Sequence, residues 1–290
     1  DGKMKLERNL SHIALAKIGK QLEIEPHQVA LGIIEITNAH MERALRVISV
    51  ERGYDPKDFT LLAFGGAGGQ HASELARRIG IPRIIIPPQA STLSAFGMLA
   101  ANIVKDYVIT VMLSGDTSDR ELYTIYAGLI EHGTKEIVSQ GITSEETSVE
   151  CSLDLRYKGQ SYELTIPYTN NFADTFHKHH HKLYGYSRPE APLEIVNLRV
   201  KAIGKVAMPR LKELPTGSGD PERAILGLRE VVFEDEPESI NAYWGERLRP
   251  RDMINGPALI IRPDTTILIG KTDSLEVDFF GNYIIKVAGI

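Results

Sequence analysis

The stretch Leu61–Arg78, LLAFGGAGGQHASELARR, reads as a short apolar strand, a glycine loop and the start of a helix. Leu61-Leu62-Ala63-Phe64 enters Gly65-Gly66-Ala67-Gly68-Gly69, and Gln70-His71-Ala72 opens a helix that runs to Ile79 and stops at Gly80. Glycines at such a turn permit positive φ and let a ligand approach the backbone. Free N–H groups at the helix start, backed by the helix dipole, form an anion site. Two familiar phosphate loops are excluded. No Gly-Lys-Ser/Thr follows, so this is not a Walker A loop. The spacing Gly66-x-Gly68-x-x-His71 puts histidine where the dinucleotide fingerprint takes glycine or alanine. Two readings stand: a nucleotide-binding loop, or a sharp strand-to-helix turn without a ligand. Four glycines in five residues favour binding, because each costs backbone entropy unless the geometry requires it.

Working outward, Arg83–Ile86 is a short apolar strand of the kind buried on both faces. Ser91–Ala101 reads as a helix and Asp106–Leu113 as a strand. Strand, helix, strand, helix, strand in this order predict an α/β layer with right-handed crossovers. Upstream, Leu6–Gln21 has apolar residues at helical spacing. Pro26 suits a helix start. From Val29 to Ile48 the apolar positions cover much of the helix circumference, which predicts a buried helix ended by Gly53 and Pro56.

The pattern changes after Ser114. Ser118 or Asp119 is placed to cap a helix over Arg120–Gln140. Val149–Tyr157 and Ser161–Pro167 flank Lys158-Gly159-Gln160 as a hairpin. Asn171–Tyr184 reads as a helix, Glu194–Ile203 as a strand, and Pro209–Arg223 as a loop. Six short strands follow: Glu230–Phe233, Ile240–Tyr243, Ala258–Ile261, Thr266–Ile269, Ser274–Asp278 and Tyr283–Val287. The expected division is therefore an α/β part over residues 1–113 and a β-rich α+β domain over 114–290.

Composition narrows the function classes. The chain has 290 residues, enough for two domains, and a formal charge of −5, which argues against a general nucleic-acid binder. Cys151 is the single cysteine, so no internal disulfide forms, in keeping with a reducing cytoplasm. No apolar run approaches the length of a membrane span. The opening DGKMKLERNL has neither an initiator methionine nor a signal-peptide core, which suggests a piece of a longer protein.

Residues 61–107, LLAFGGAGGQHASELARRIGIPRIIIPPQASTLSAFGMLAANIVKDY, resemble the signature of the hydantoinase A/5-oxoprolinase family. The resemblance continues through TNAHMERALRVISVERGYDPKDF (37–59), DLRYKGQSYEL (154–164), FHKHHHKLYGYSRPEAPLEIVNLRV (176–200) and GPALIIRPDTTI (256–267). That family includes ATP-dependent N-methylhydantoinase, 5-oxoprolinase and related subunits of acetone and acetophenone carboxylases. The resemblance implies an actin/Hsp70/sugar-kinase-like (ribonuclease H-like) ATPase fold, in which two lobes close on ATP. This chain would supply the second lobe in part, followed by the β-rich domain. The phosphate hairpin and the acidic residues that position Mg would belong to the other lobe, which nothing in this sequence resembles.

By the same resemblance, Gly65, Gly66, Gly68 and Gly69 contact the nucleotide on its adenosine side. Asn38 and Arg46 lie on a helix that flanks it, and Asn38 is a further nucleotide-binding residue. His40 stands where relatives often carry asparagine, and GGQH is nearer the oxoprolinase branch than the GGPLH form. The implied reaction is ATP-driven activation of an amide or enolate oxygen, leading to hydantoin or 5-oxoproline ring opening or to ketone carboxylation. A hydantoinase B-like subunit or domain and an oligomeric assembly are the implied partners, with neither nucleic acid nor membrane involved. A rival reading is a non-catalytic nucleotide-binding or assembly module.

The remaining candidates each have two readings. His71, in the first turn of its helix, is a hydrogen-bonding group of the site or a residue packing against the turn. In the run His177, His179, His180, His181, His177 lies one helical turn from His180 and from His181, so two ligands on one face are possible, yet no third ligand is evident, and packing before the helix stop is favoured over metal binding. Arg156, Tyr157, Gly159 and Gln160 shape the hairpin or face the substrate. Ser91, Thr92 and Ser94 cap a helix or line the site. Cys151 alternates with strand residues and reads as a core position.

Overall fold

A computed structural model describes residues 7–233 and 236–290. Leu6, the expected start of the first helix, lies outside them. In chain order the first elements are α1 (Arg8–Leu22), α2 (Pro26–Ile48), β1 (Thr60–Leu62), α3 (Gly68–Ile79), β2 (Arg83–Ile86) and α4 (Leu93–Ala100). Next come β3 (Ile103–Ser114), α5 (Asp119–Ser139), β4 (Thr147–Tyr157), β5 (Leu164–Pro167), α6 (Phe172–Tyr184) and β6 (Leu193–Gly204). The chain closes with β7 (Ile225–Val232), β8 (Pro237–Trp244), β9 (Met253–Asn255), β10 (Ala258–Ile261), β11 (Thr266–Ile269), β12 (Ser274–Val277) and β13 (Tyr283–Lys286).

Two compact units result, and they are not consecutive in sequence. One combines the residues up to Phe96 with Arg210–Ile290; the other is Gly97–Pro209. This differs from a linear division at 113/114. The physical reason lies in strand pairing. β13 pairs antiparallel with β2, placing Ile284 opposite Ile85 and Tyr283 opposite Ile86. The C-terminal strands thus complete the sheet begun by β1 and β2.

The first unit holds two sheets. One has the order β1-β2-β13-β12-β9, with β1 and β2 parallel and the remaining pairs antiparallel. The other has the order β11-β10-β8-β7. The core between them gathers Ile84 and Ile86 of β2, Ile260 of β10, Ile267 and Ile269 of β11, Leu275 of β12 and Ile285 of β13, with Ala72 and Ala76 of α3. Full burial of each isoleucine is worth about 1.5–3 kcal/mol, so these strands set the unit's stability. Gly80, with φ +88°, caps α3 in the left-handed region as its position predicts.

α2 corrects an expectation. Its length agrees with the periodicity, but only Val29 and Asn38 are buried. Ile33, Ile34 and Ile36 are 47–60% exposed. Periodicity identifies an apolar helix; it does not say what covers it. The predicted three-strand α/β layer also ends at two strands. β3 leaves for the second unit, and β13 takes the place beside β2.

The second unit is a four-stranded antiparallel sheet, β3-β6-β4-β5, packed against α5 and α6. Leu153, Leu155 and Tyr157 of β4 alternate toward Tyr126 of α5 and Phe176 of α6. Ser118 caps α5 through the Glu121 N–H, as the sequence suggests. The opposite face of the sheet carries a polar row. Thr110 of β3 donates to Asn197 of β6, Asn197 donates to the fully buried Asp154 of β4, and Thr165 of β5 donates to Asp154 at 2.6 Å. The Arg199 guanidinium completes it at 2.7 Å.

Candidate functional site

The glycine loop joins β1 to α3. Gly65 has φ +88°, a conformation that a side chain would strain, and its N–H donates to the Ala90 carbonyl at 2.7 Å. Gly69 is required for a different reason. A Cβ there would lie 2.7 Å from Ile267 Cγ1 and 2.9 Å from the Thr266 carbonyl oxygen, so its role is the close approach of α3 to β11. Gly66 and Gly68 have room for a Cβ, with nothing nearer than 3.8 Å. Two of the four glycines thus have an internal structural cause, and two do not.

α3 begins at Gly68, two residues earlier than the sequence predicts, so the last two glycines form its first turn. No side chain caps that end. The N–H groups of Gly66 and Ala67 meet no acceptor among the described residues. Orphan donors at a helix start are what an anionic or carbonyl-rich ligand satisfies. The loop therefore presents free donors to an acceptor oxygen.

α2 flanks α3 through polar contacts. His71 Nδ1 donates to Asn38 Oδ1 at 2.7 Å, and Asn38 is buried. Arg78 binds Glu35 at 2.8 Å and Glu74 at 2.7 Å, and its guanidinium holds the Glu35 carboxyl below the ordinary carboxylate range. Arg46 binds Glu42 at 2.8 Å and reaches the Arg78 carbonyl at 3.3 Å, at the C-terminal end of α3. Asn38 and His71 are thus brought together near the loop, whereas Arg46 sits at the far end of α3.

A third element was not anticipated as part of the site. The β10–β11 turn, Arg262-Pro263-Asp264-Thr265, packs on the glycine loop. The Thr265 hydroxyl lies 3.0 Å from the Gly66 carbonyl oxygen and 3.3 Å from that of Gly65. Asp264 accepts from the Ser91 hydroxyl at 2.9 Å and from Arg262 Nε at 3.1 Å. Arg262 also donates to the Pro88 carbonyl. Burial pushes the Asp264 carboxyl up, but the Ser91 hydroxyl, the Arg262 charge and nearby N–H donors outweigh it and hold the group below the ordinary value. Ser91 serves this turn; Thr92 and Ser94 form no comparable bond among the described residues. The signal in the sequence was the motif GPALIIRPDTTI itself, but nothing local linked it to a loop two hundred residues upstream.

In the second unit, the histidine run is held by internal bonds. The Tyr157 hydroxyl accepts from the Arg188 N–H and is hydrogen-bonded to His177 Nδ1 at 2.9 Å. The buried His180 donates to the Tyr186 carbonyl at 2.8 Å and accepts from Gln160. His179 donates back to Thr175 of its own helix. Among the described residues no group of three or more His, Cys, Asp or Glu is placed to hold a metal ion. Arg156 pairs with Glu194 at 2.6 Å, and Gly159, at φ +87°, turns the chain, so these hairpin residues have structural partners. Cys151 packs against the core, and burial pushes its thiol up.

Residues 1–107 match the family model described as Hydantoinase/oxoprolinase, and residues 115–283 match that of the Hydantoinase/oxoprolinase C-terminal domain. The chain belongs to the hydantoinase/oxoprolinase family. An uncharacterized protein of Methanocaldococcus jannaschii is 38% identical over 97% of the chain, which spans 41% of that relative. The caprolactamase subunit alpha of Pseudomonas jessenii is 32% identical over 97% of the chain and 43% of its own length. The 5-oxoprolinase of Saccharomyces cerevisiae is 30% identical over 90% of the chain and 21% of its own. A nucleotide-free acetone carboxylase structure superposes with a TM-score of 0.82 over 99% of the chain and 44% of its own, at 22% identity, which establishes the fold alone. The ATP-dependent caprolactamase of Pseudomonas jessenii gives 0.72 at 30% identity over 99% of the chain and 44% of its own. This family member thus spans less than half the length of these relatives. Among its described residues no helix is long and apolar enough to cross a membrane.

Proposed function

We propose that this family member is the C-terminal portion of an ATP-dependent hydrolase of cyclic amides, acting on a hydantoin or 5-oxoproline ring. The observation that carries the reading is the 32% identity to a caprolactamase subunit across nearly the whole chain, since the amide in that relative's name is itself cyclic. A subunit of a ketone carboxylase is the second reading, favoured by the sequence similarity to an acetone carboxylase beta subunit over 92% of the chain. Identity is the better guide to substrate than backbone superposition, because function resides in sites grafted on a shared fold. The acetone carboxylase beta subunit is 25% identical, below the two amide-named relatives.

In this reading the glycine loop forms one wall of a nucleotide site in an actin-like ATPase lobe. The fit rests on the uncapped start of α3 and the outward N–H groups of Gly66 and Ala67. Bound ATP supplies the phosphoryl group that activates an amide oxygen. This chain's residues contribute binding and orientation: Gly66 and Gly68 admit the nucleotide to the backbone, and Asn38 and His71 stand beside it. Mg is assigned to carboxylates of the other lobe, as the family resemblance implies. A hydantoinase B-like partner, in an oligomer working in the cytoplasm, completes the proposal. The subunit designations of the relatives support an assembly.

The experiment is a substrate screen on the full-length protein, with hydantoin, 5-oxoproline, caprolactam and acetone plus bicarbonate, reading substrate-dependent ATP hydrolysis. Stimulation by a cyclic amide supports the reading; stimulation by acetone alone replaces it with the carboxylase. The 290-residue chain by itself is expected to show no ATP turnover, and robust turnover would contradict the two-lobe arrangement.

A further inference from the structure

We propose that Thr265 is a positioning residue of the nucleotide site: its hydroxyl sets the peptide planes that aim the Gly66 and Ala67 N–H groups at an oxygen of the nucleotide. The inference rests on the proposed nucleotide reading of the loop and assigns a role in it to a residue from the far end of the chain.

In a planar trans peptide the carbonyl of one residue and the N–H of the next point in opposite directions. The Gly65 and Gly66 carbonyl oxygens both face the Thr265 hydroxyl, at 3.3 and 3.0 Å. The N–H groups of Gly66 and Ala67 therefore point away from Thr265, and neither has an acceptor among the described residues. Glycine at both positions leaves these planes free to rotate unless something holds them. Thr265 is buried and, among the described residues, is the one side chain within bonding distance of both carbonyls, which share its single hydroxyl hydrogen.

The hydroxyl is itself fixed. Arg262 N–H donates to the Thr265 carbonyl at 3.0 Å, closing the β10–β11 turn. Asp264 ties the turn to Ser91, and Ser91 lies one residue beyond Ala90, whose carbonyl anchors Gly65 at 2.7 Å. The turn and the loop after β2 thus grip the glycine loop from two sides. An aligned donor pair loses less freedom on binding than a mobile one, so the brace raises affinity without touching the ligand. A phosphate and a ribose oxygen are both acceptors for such donors.

The test uses the full-length protein and equilibrium binding of ATP and of adenosine. Thr265→Val keeps the side-chain volume and removes the donor; Thr265→Ser keeps the donor. Thr265→Val is expected to weaken ATP binding roughly fivefold, the value of one ordinary hydrogen bond, and Thr265→Ser to restore it. A loss confined to ATP assigns the donors to phosphate, and an equal loss for adenosine assigns them to ribose. Gly68→Val serves as the site control. If Gly68→Val weakens ATP binding and Thr265→Val does not, the brace is wrong and the site stands. If neither changes it, the nucleotide reading fails and the brace with it. A purely structural Thr265 would lower the melting temperature in the valine variant without changing affinity, which also overturns the proposal. If Thr265→Val does not fold, Ser91→Ala loosens the same turn and is expected to weaken ATP binding in the same direction; unchanged affinity there counts against the brace.

Discussion

Asn38 and His71, thirty-three residues apart, meet across α2 and α3 through a 2.7 Å bond from His71 Nδ1 to Asn38 Oδ1. Because Oδ1 only accepts, Nδ1 carries the proton and Nε2 is left with no partner among the described residues. A double-mutant cycle with Asn38→Ala and His71→Ala in the full-length protein is expected to give a coupling of about 1 kcal/mol in thermal or denaturant unfolding. Additive effects would show that the two side chains do not depend on each other.

The glycines divide into two classes, and substitution separates them. Gly69→Ala drives a Cβ into Ile267 and the Thr266 carbonyl. It is expected to destabilise the protein by about 1–3 kcal/mol through overpacking. Gly66→Ala meets only the Asp264 carbonyl oxygen, at an ordinary contact distance of 3.8 Å. Its effect on stability should stay within about 1 kcal/mol, read as a melting-temperature shift. A larger loss at Gly66 than at Gly69 would reverse the assignment.

His177 gives a pH dependence with a defined sign. Burial disfavours its charged form and sets its pKa below the ordinary histidine value, with Asp174 opposing and His180 reinforcing the shift. In the unfolded chain the ordinary value, about 6.5, applies. The unfolded state therefore takes up the proton first as pH falls. The associated stability is complete above about pH 6.5 and is lost as pH drops through that value toward the lower folded one. The melting-temperature loss between pH 7.5 and 5.5 should be smaller in His177→Gln than in the parent protein. Equal losses would remove His177 from the account.

Local signals made the elements legible. Pro26 and Gly80 mark a helix start and a helix stop, and the short apolar runs Ala258–Ile261 and Thr266–Ile269, spaced by a tight turn, mark strands with the observed bounds. Pairing was not legible, because β13 finds β2 across nearly two hundred residues and no periodicity encodes a partner. The same separation hid Arg262, Asp264 and Thr265 from the site. The apolar face of α2 was read correctly and its burial was not, since a side-chain pattern carries no record of what lies opposite. Asp154 passed for one residue of a hairpin motif. Only the sheet shows it as the buried acceptor for Thr165, Asn197 and Arg199.

The central claim is that the loop from Gly65 to Gly69 binds nucleotide. A Cβ at Gly68 would meet nothing nearer than 3.9 Å, so a larger residue there should disturb a ligand before it disturbs the fold. The decisive measurement is the ATP dissociation constant of the full-length protein carrying Gly68→Val, taken alongside its melting temperature. The account predicts at least roughly tenfold weaker binding, about 1.4 kcal/mol, with little change in melting temperature. Unchanged ATP affinity in a folded Gly68→Val protein would contradict it.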